Sequence, residues 1–483
     1  DIMPRRTKIV ATLGPATDGK HVLDEMIQAG MDVVRVNFSH GTHEDHIKRA
    51  ENVRNRARAH GHQVGVLADL QGPKIRIERF EDGMIHLEKD DHFILDTSLD
   101  MNAGTREKVG VTYKNLHNDI SRGDTLLLDD GLLVLWVEEV EETEVRCKVL
   151  VGGRLTNNKG INRLGGGLTA ASLTEKDRDD IKVAATMGAD YVAISFPRSA
   201  RDVNNARELL REAGGHGGIV AKIERAEALE ALEEIIEAAD AVMIARGDLG
   251  VEIGDAELPA VQKKIIRIAR SHDRVVITAT QMMQSMIENP IPTRAEVFDV
   301  ANAVLDGTDA VMLSAETAAG QYPAKVIEAM DRICAGAERQ RSSTAAERRI
   351  NIRFKQADEA IAKAAIYTAN SLGVKAIAAL TESGATALWM SRISSGIPIF
   401  AMTRHVETRR KVTLYRGVYP VSFDVTTPDH ATVNREAIDE LMRRGAVRDG
   451  DLVIITKGDL MGVHGGTNAM KIIRVGEHEI MEQ

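Results

Sequence analysis

Residues 190–246 contain three short apolar segments, DYVAISF (190–196), GIVAKI (218–223) and AVMIAR (241–246). Helix-like stretches lie between most segments of this kind, and Asp255–Arg270 and Glu296–Asp306 are examples. Short β-branched segments that alternate with helices are typical of βα units. The pattern continues outward through TKIVATL (7–13), DVVRVNF (32–38), VGVLADL (64–70), VVITAT (275–280) and AVMLS (310–314). Eight such units predict an α/β fold whose parallel strands close into a (β/α)8 barrel.

The spacing of these units is interrupted once, by residues 71–168. That stretch contains turn signals such as Glu81-Asp82-Gly83 between short strand-like segments, which predicts a small β domain inserted in a barrel loop. The strand-like segments are Ile75–Glu78, Met84–Leu87, His92–Leu95 and Leu126–Asp129. The barrel is therefore assigned to residues 1–70 and 169–340. After the charged stretch Glu338–Arg349, which reads as a linker, residues 345–483 predict a separate open α/β domain.

Composition narrows the class of protein. The 483 residues are 43% hydrophobic and 28% charged, which is typical of a soluble multidomain protein. No apolar run approaches the roughly 20 residues that cross a bilayer, so a membrane partner is not expected. Two cysteines, Cys147 and Cys334, stand far apart, which indicates a reducing, cytoplasmic location. A net charge of −10 and 3% aromatic residues argue against nucleic acid as a partner.

Polar side chains concentrate where the predicted strands end, and the active site of a (β/α)8 barrel lies at these carboxyl ends. Six of the predicted strands end in such residues, and the preference of polar residues for turns does not explain so many. The residues concerned are Arg35, Asn37, Ser39, His40, Asp69, Lys222, Glu224, Arg246, Gly247, Asp248, Thr280, Gln281, Ser314 and Glu316.

Glu224 and Asp248 follow neighbouring strands, so their carboxylates can meet at one metal ion. Two carboxylates plus water and substrate oxygens suit Mg2+. Lys222 lies on the same face of its strand as Glu224 and can stabilise a developing anion. The alternatives are that either carboxylate caps a helix and that Lys222 forms an ordinary ion pair.

A tight turn, RGDLG (246–250), offers backbone N–H groups to a carboxylate. Thr280 can add a hydroxyl from the next strand, and Arg35 can present its fork of donors to a phosphoryl group. Glycine-rich turns are common, so this turn alone is weak evidence.

Together, five motifs resemble the pyruvate kinase family: IVAKIERAEAL (219–229), RVNFSHG (35–41), ARGDLGVE (245–252), ATQM (279–282) and MLSAET (312–317). The resemblance covers essentially the whole chain. In overall pattern the chain is most similar to bacterial members activated by AMP or sugar monophosphates.

The resemblance implies transfer of the phosphoryl group of phosphoenolpyruvate to ADP, giving pyruvate and ATP in glycolysis. It implies that Lys222 stabilises the transition state and that Glu224 and Asp248 hold Mg2+, for which Mn2+ can substitute. The resemblance implies that the substrate is bound by Arg35, Lys222, the backbone of Gly247 and Asp248, and Thr280. Thr280, Ser314 and Glu316 are candidates for proton delivery. The nucleotide is implied to face Asn37, His40, Arg76 and Lys159, with the inserted domain, a small β-barrel, acting as a lid.

One segment departs from the family pattern. Many members hold K+ with residues that match Asn37, Ser39, Asp69 and the carbonyl of Leu70, and these members carry Glu in Gly-Pro-Glu-Ile-Arg. Here the segment is GPKIR (72–76). We expect the Lys74 ammonium to supply the monovalent charge, so that K+ is not required. The alternative is a solvent-facing lysine without a role.

The last domain carries TESGAT (381–386), which joins a strand to a helix start and can present N–H groups and hydroxyls to a phosphate. In the family this loop binds the effector, so Thr381, Ser383, Gly384, Ala385 and Thr386 are candidates. Ala385 stands where an arginine is frequent in the family, and KGDLMG (457–462) lacks the Trp-x-Pro-Gly pattern seen in some members that fructose 1,6-bisphosphate activates. A monophosphate effector such as glucose 6-phosphate, AMP or ribose 5-phosphate is favoured, and a plain helix cap is the alternative. Trp389 is interpreted as core. The resemblance also suggests a homotetramer.

Two other functions remain as rivals. A lyase that handles a pyruvate enolate also places Mg2+ carboxylates on barrel strands, but it needs neither a lid nor an effector domain. An inactive sugar-phosphate sensor predicts a damaged site, whereas Lys222, Glu224, Asp248 and Thr280 are all present.

Overall fold

The computed structural model describes residues 4–168, 170–340, 353–393, 395–459, 461–462 and 465–477. The predicted boundaries at residues 169 and 345, most of the predicted linker and residue 460 of the 457–462 segment lie outside this part of the chain. Within it, no helix has both the length and the apolarity needed to span a membrane. Both cysteines are buried and free, as the sequence indicated.

The first part of the barrel has three strands and two helices. They are β1 (Lys8–Thr12), α1 (Lys20–Ala29), β2 (Val33–Asn37), α2 (His43–Ala59) and β3 (Gly65–Asp69). Helix α2 begins with a reciprocal cap: Thr42 accepts a hydrogen bond from the Asp45 N–H at 3.2 Å, and Asp45 accepts one from the Thr42 N–H at 3.1 Å.

The inserted residues form a separate β domain with its own buried core. Its elements are β4 (Met84–Leu87), β5 (His92–Asp96), β6 (Lys108–Val109), α3 (Leu116–Asp119), β7 (Thr125–Leu128), β8 (Leu133–Glu141), β9 (Glu144–Val151), β10 (Gly153–Thr156) and β11 (Ile161–Arg163). They are arranged as a six-stranded sheet and a two-stranded sheet rather than as one closed β-barrel. The prediction of a strand at Ile75–Glu78 is wrong, because this segment forms only isolated bridges. Arg76 pairs with Gly160 and Ile77 with Val111, so the partner changes after one residue and no ladder extends.

The second part of the barrel contributes the other five strands. Its elements are α4 (Glu175–Thr186), β12 (Tyr191–Ile194), α5 (Ala200–Glu212), β13 (Gly218–Ile223), α6 (Ala226–Glu230), α7 (Leu232–Ala238), β14 (Ala241–Ala245), α8 (Arg246–Ile253), α9 (Leu258–Ser271), β15 (Val275–Ala279), α10 (Arg294–Asp306), β16 (Ala310–Leu313), α11 (Ala315–Ala318) and α12 (Pro323–Gln340). The eight parallel strands close in the order β1-β16-β15-β14-β13-β12-β3-β2, which confirms the predicted barrel. Because β3 pairs directly with β12, the insertion occupies a loop between adjacent strands.

The C-terminal domain is an open sheet flanked by helices, as predicted. Its elements are α13 (Ala357–Leu372), β17 (Ala376–Leu380), α14 (Ala385–Ser391), β18 (Ile399–Thr403), α15 (Val406–Lys411), β19 (Val418–Ser422), α16 (His430–Arg443), β20 (Leu452–Lys457) and β21 (Ala469–Arg474). Four strands are parallel, and β21 adds an antiparallel edge next to β20. The sequence did not predict β21, because most of its side chains are exposed and it lacks an apolar run.

The C-terminal domain packs against the amino ends of the barrel strands. Lys8 Nζ, at the start of β1, donates to the Val418 carbonyl at 2.5 Å, and the Tyr191 hydroxyl, at the start of β12, donates to the Lys411 carbonyl at 2.6 Å. Arg392 forms a buried ion pair with Asp309, just before β16. The carboxyl ends of the barrel strands therefore remain free for a functional site.

Candidate active site

Lys222 lies near the carboxyl end of β13, at the mouth of the barrel. Its Nζ donates to Asp69 Oδ1 at 3.1 Å and to Ser195 Oγ at 3.0 Å, and it lies 3.9 Å from Glu224 Oε1. Burial would lower the pKa of Lys222, but the carboxylates of Asp69 and Glu224 outweigh it and raise that pKa. A lysine with this surrounding stays protonated and offers a fixed positive charge.

Arg35 shares Asp69 with Lys222. Its Nε donates to Asp69 Oδ2 at 2.7 Å, and its Nη1 donates to Thr12 Oγ1 at 3.1 Å. Burial would raise the pKa of Asp69, but Lys222 and Arg35 together hold it below its usual value. The buried carboxylate thus positions two cations that can face a phosphorylated anion.

Glu224 follows β13 and is fully enclosed. Its Oε1 accepts the Phe196 N–H at 3.0 Å, from a residue with a left-handed backbone (φ 60°) that a non-glycine residue adopts at an energetic cost. Burial raises the pKa of Glu224 to about 7, and the charges of Asp248 and Asp69 act in the same direction, whereas Lys222 opposes them. Even with the Lys222 ammonium beside it, this carboxyl group binds a proton more readily than an exposed glutamate does.

Asp248, in the first turn of α8, has the donor chemistry that a metal ion requires. Its Oδ1 is buried without a hydrogen-bond partner, and the nearest cation is the Lys74 ammonium at 3.6 Å. An orphaned carboxylate oxygen close to a second buried carboxylate fits Mg2+, which prefers hard oxygen ligands. The Lys74 contact also places that side chain beside the candidate metal ligands.

Thr280 and Gly247 meet across the ends of β15 and β14. The Gly247 N–H donates to Thr280 Oγ1 at 2.8 Å, and Thr280 has a left-handed backbone with φ 71°. Arg246 supports this conformation by donating to the Ala279 carbonyl at 3.0 Å and the Thr280 carbonyl at 2.7 Å. Asp299 accepts from the same guanidinium at 2.6 Å and 2.9 Å.

Ser314 and Glu316 also lie together, at the end of β16. Both Glu316 oxygens accept backbone hydrogen bonds: Oε1 from the Ser314 N–H at 3.0 Å and Oε2 from the Met283 N–H at 3.1 Å. Since both contacts use Glu316 as an acceptor, this side chain fixes the two strand ends in place.

The residues that match the family K+ site take part in local contacts. Asn37 Oδ1 accepts the Ser39 N–H at 3.1 Å, and the Leu70 carbonyl accepts the Ser195 hydroxyl at 2.6 Å. Asp69 is paired with Arg35 and Lys222 as described above. His40 is exposed at the rim beside them.

Arg76 and Lys159 lie on adjoining segments of the inserted domain, because Arg76 pairs with Gly160. Arg76 donates to the Asn158 carbonyl at 2.9 Å, and Lys159 lies 3.7 Å from Asp129 Oδ1. The two sequence positions therefore come together, at the point where the insertion adjoins the barrel.

The predicted effector loop lines a cavity of about 510 Å3 in the C-terminal domain. Thr381, Ser383, Ala385 and Thr386 contribute to its wall, and Arg404 and Lys457 supply positive charge. Gly384 does not line it, and its N–H donates to Thr381 Oγ1 at 2.9 Å. Trp389 packs partly against the core, as interpreted, but it also lines this cavity.

Two residues that touch the site were not singled out from the sequence. Ser195 contacts Lys222 and Phe196 contacts Glu224, and both belong to SFPR (195–198), just after β12. Their position at a strand end is the signal that could have identified them.

An arginine, a lysine and two carboxylates at one barrel mouth define a phosphotransferase on a (β/α)8 scaffold. The family models for the pyruvate kinase barrel domain and alpha/beta domain match residues 4–327 and 359–473. The chain is 56% identical to pyruvate kinase II of Salmonella typhimurium over 475 residues, covering 98% of this chain and 99% of that protein. It is 55% identical to the pyruvate kinase of Haemophilus influenzae over 458 residues, 94% of this chain and 96% of that protein. It is 43% identical to the pyruvate kinase of Staphylococcus epidermidis over 479 residues, covering 98% of this chain and 81% of that protein. The chain belongs to the pyruvate kinase family.

Proposed function

We propose that this chain transfers the phosphoryl group of phosphoenolpyruvate to ADP, with Mg2+ held by Glu224 and Asp248. The observation that carries the proposal is the convergence of the Lys222 ammonium and the Glu224 carboxylate, 3.9 Å apart, together with a buried oxygen of Asp248 that has no hydrogen-bond partner. Phosphoryl transfer depends on positioning and charge neutralisation more than on covalent catalysis, and this arrangement offers both.

Each group has a separate task in the reaction. Arg35 orients the phosphoryl group, and the Gly247 N–H turns from Thr280 Oγ1 to the substrate carboxylate. As the bond from phosphorus to the enol oxygen breaks and a bond to a β-phosphate oxygen of ADP forms, Lys222 stabilises the negative charge left on the enolate. Mg2+, when bound, would neutralise negative charge on the phosphoryl and carboxylate oxygens of phosphoenolpyruvate. The proton that converts the enolate carbon to the methyl group of pyruvate comes from solvent and is relayed by the Thr280 hydroxyl, which takes up one proton as it gives up another. Ser314 and Glu316 are the other candidate members of this path.

Asn37 and His40 at the rim and Arg76 and Lys159 on the inserted domain are proposed to bind ADP. The inserted domain then acts as a lid that excludes water and suppresses hydrolysis.

The test is an assay of ATP formation from phosphoenolpyruvate and ADP at fixed Mg2+, with Lys222→Met as the variant. We expect the wild type to form ATP and the variant to bind phosphoenolpyruvate yet lose nearly all turnover. Lys263→Met, which removes an exposed lysine paired with Asp306, is the control and should retain activity. Substantial turnover by Lys222→Met would contradict the assignment.

We further propose that K+ is not required, because Lys74 supplies a monovalent positive charge in the cleft. The contact that supports this is the 3.6 Å separation of Lys74 Nζ and Asp248 Oδ1. Rates in K+, Na+ and tetramethylammonium buffers should agree, and Lys74→Glu should acquire a K+ requirement. A wild type that slows manyfold without K+ would exclude this role.

A phosphorylated effector is proposed to activate the enzyme at the TESGAT loop. The cavity there is lined by two cationic residues, Arg404 and Lys457, besides the carboxylates of Asp358, Glu382 and Asp424, and its size suits a sugar monophosphate or AMP. Titration of each monophosphate should shift the phosphoenolpyruvate saturation curve to lower concentration, and Thr386→Val should weaken the shift. If no monophosphate shifts the curve, the loop is a helix cap.

The chain is also proposed to form a homotetramer. Phe298, in α10, is 75% exposed, and Ile291, just before α10, is 73% exposed, which is unfavourable for apolar side chains in water. Burial between subunits would relieve this exposure. Light scattering should give a tetramer for the wild type and smaller species for Phe298→Asp, whereas a monomeric wild type would refute the proposal.

A further inference from the structure

The Lys222 ammonium has three N–H bonds, and it can act on a substrate only if one of them points towards it. One points to Asp69 Oδ1 at 3.1 Å and a second to Ser195 Oγ at 3.0 Å. With two N–H bonds held inside the barrel, the third is left for the reacting anion.

The direction of the Ser195 hydrogen bond is fixed. Its hydroxyl donates its only proton to the Leu70 carbonyl at 2.6 Å, so the Ser195 oxygen can only accept from Lys222. The residue is 2% exposed, and water does not compete strongly for that oxygen.

Ser195 differs from Asp69 in charge. A carboxylate that anchors an ammonium also neutralises it, whereas a neutral hydroxyl holds the ammonium in place and leaves its positive charge available. An anchor of the second kind suits a lysine that must stabilise an anion during the reaction.

Ser195 also lies against the segment that leads into the inserted domain. A Cβ on Gly72 would lie 2.4 Å from the Cβ of Ser195, and Gly72 has φ 69°. The Gly72 N–H is itself held by Asp177 Oδ1 at 3.0 Å. The backbone at Leu70 and Gly72 therefore touches the residue that holds the lysine.

We propose that Ser195 is a positioning residue for Lys222, and that its hydroxyl links the orientation of the ammonium to the Leu70–Gly72 entrance of the inserted domain. The proposal rests on the proposed role of Lys222 in phosphoryl transfer.

The test compares Ser195→Ala and Ser195→Cys in the full-length enzyme. Both remove the strong acceptor and keep the Cβ that lies beneath Gly72, and cysteine also fills the space of the missing hydroxyl. A hydrogen bond to a charged group accounts for about a ten- to hundredfold effect, so kcat should fall by that factor in both variants. The KM values for phosphoenolpyruvate and ADP should change by less than about threefold, because Ser195 acts through Lys222.

Thr278→Val is the matched control, since it also removes a buried hydroxyl hydrogen bond in the barrel, at 2.9 Å to Thr308. It should lower the unfolding temperature as Ser195→Ala does, with kcat unchanged. A kcat within about twofold of wild type for Ser195→Ala, or full activity of Ser195→Cys, would overturn the proposal. Ser195 would then contribute only to packing.

Lys222→Met, measured in parallel, separates the two claims. If it keeps its turnover, the proposed function itself fails. If it loses turnover while both Ser195 variants keep theirs, only the positioning role fails.

Discussion

Replacing Asp69 by Asn should destabilise the barrel strongly, because it removes the single negative charge that two buried cations share. Asp69 is 1% exposed and accepts from Arg35 at 2.7 Å and from Lys222 at 3.1 Å. The substitution keeps the shape of the side chain, so charge is the only large change. Breaking a buried ion pair costs about 3–5 kcal/mol. For a domain of this size that corresponds to a fall in unfolding temperature of roughly 6–20 °C.

Scanning calorimetry of the barrel transition measures this effect, and Asp18→Asn is its control. Asp18 accepts from Arg49 at 2.8 Å and 3.0 Å, but its side chain is 50% exposed. An exposed pair contributes less than about 1 kcal/mol. If the two variants unfold at the same temperature, Asp69 does not hold the cations as described. The Asp69 variant should also lose kcat, since Arg35 and Lys222 are released together.

Two further predictions concern the metal site and the entrance to the inserted domain. The pKa of Glu224 is raised to about 7, so without metal the folded chain keeps a proton on this carboxyl group at any pH below about 7. That proton competes with Mg2+ for the same oxygens. The rise in unfolding temperature on adding Mg2+ should therefore be larger at pH 8 than at pH 6, and an equal rise at both would exclude competition at this carboxyl. Gly72→Ala should lower both stability and kcat, because its Cβ would meet Ser195 at 2.4 Å, whereas Gly61→Ala has a similar φ of 67° and no neighbour within 4 Å. The difference between these two variants in calorimetry and kcat measures the contact alone, and equal effects would show that only backbone strain matters.

Strand positions were predictable wherever burial on both faces produced a continuous apolar run. All eight barrel strands fall within their predicted segments. The same reasoning missed β21, which is exposed along most of its length. It also predicted a regular strand at Ile75–Glu78, where Arg76 and Ile77 pair with different segments. Edge and junction segments are specified by their neighbours more than by their own composition.

For the candidate site, strand-end position selected Lys222, Glu224, Asp248 and Thr280, but it did not select Ser195 and Phe196, which contact Lys222 and Glu224. The serine that holds Lys222 comes from the end of a different strand and has no distinctive motif. The contact of the Lys74 ammonium with Asp248 could not be read from the sequence either, and the role of Lys74 in place of K+ stays a prediction. Such contacts depend on how the inserted domain joins the barrel, which residue spacing does not specify.

The sequence by itself determined the βα alternation, the inserted and terminal domains and the strand ends that carry charge, because these follow from local periodicity and from residue type. Only the tertiary structure decided that Asp69, Ser195 and Lys222 form one hydrogen-bonded group. These residues come from three strands that become neighbours when β3 pairs with β12 and β12 with β13. The strand pairing in the closed barrel sets the distances between them, and no local property of the chain encodes those distances.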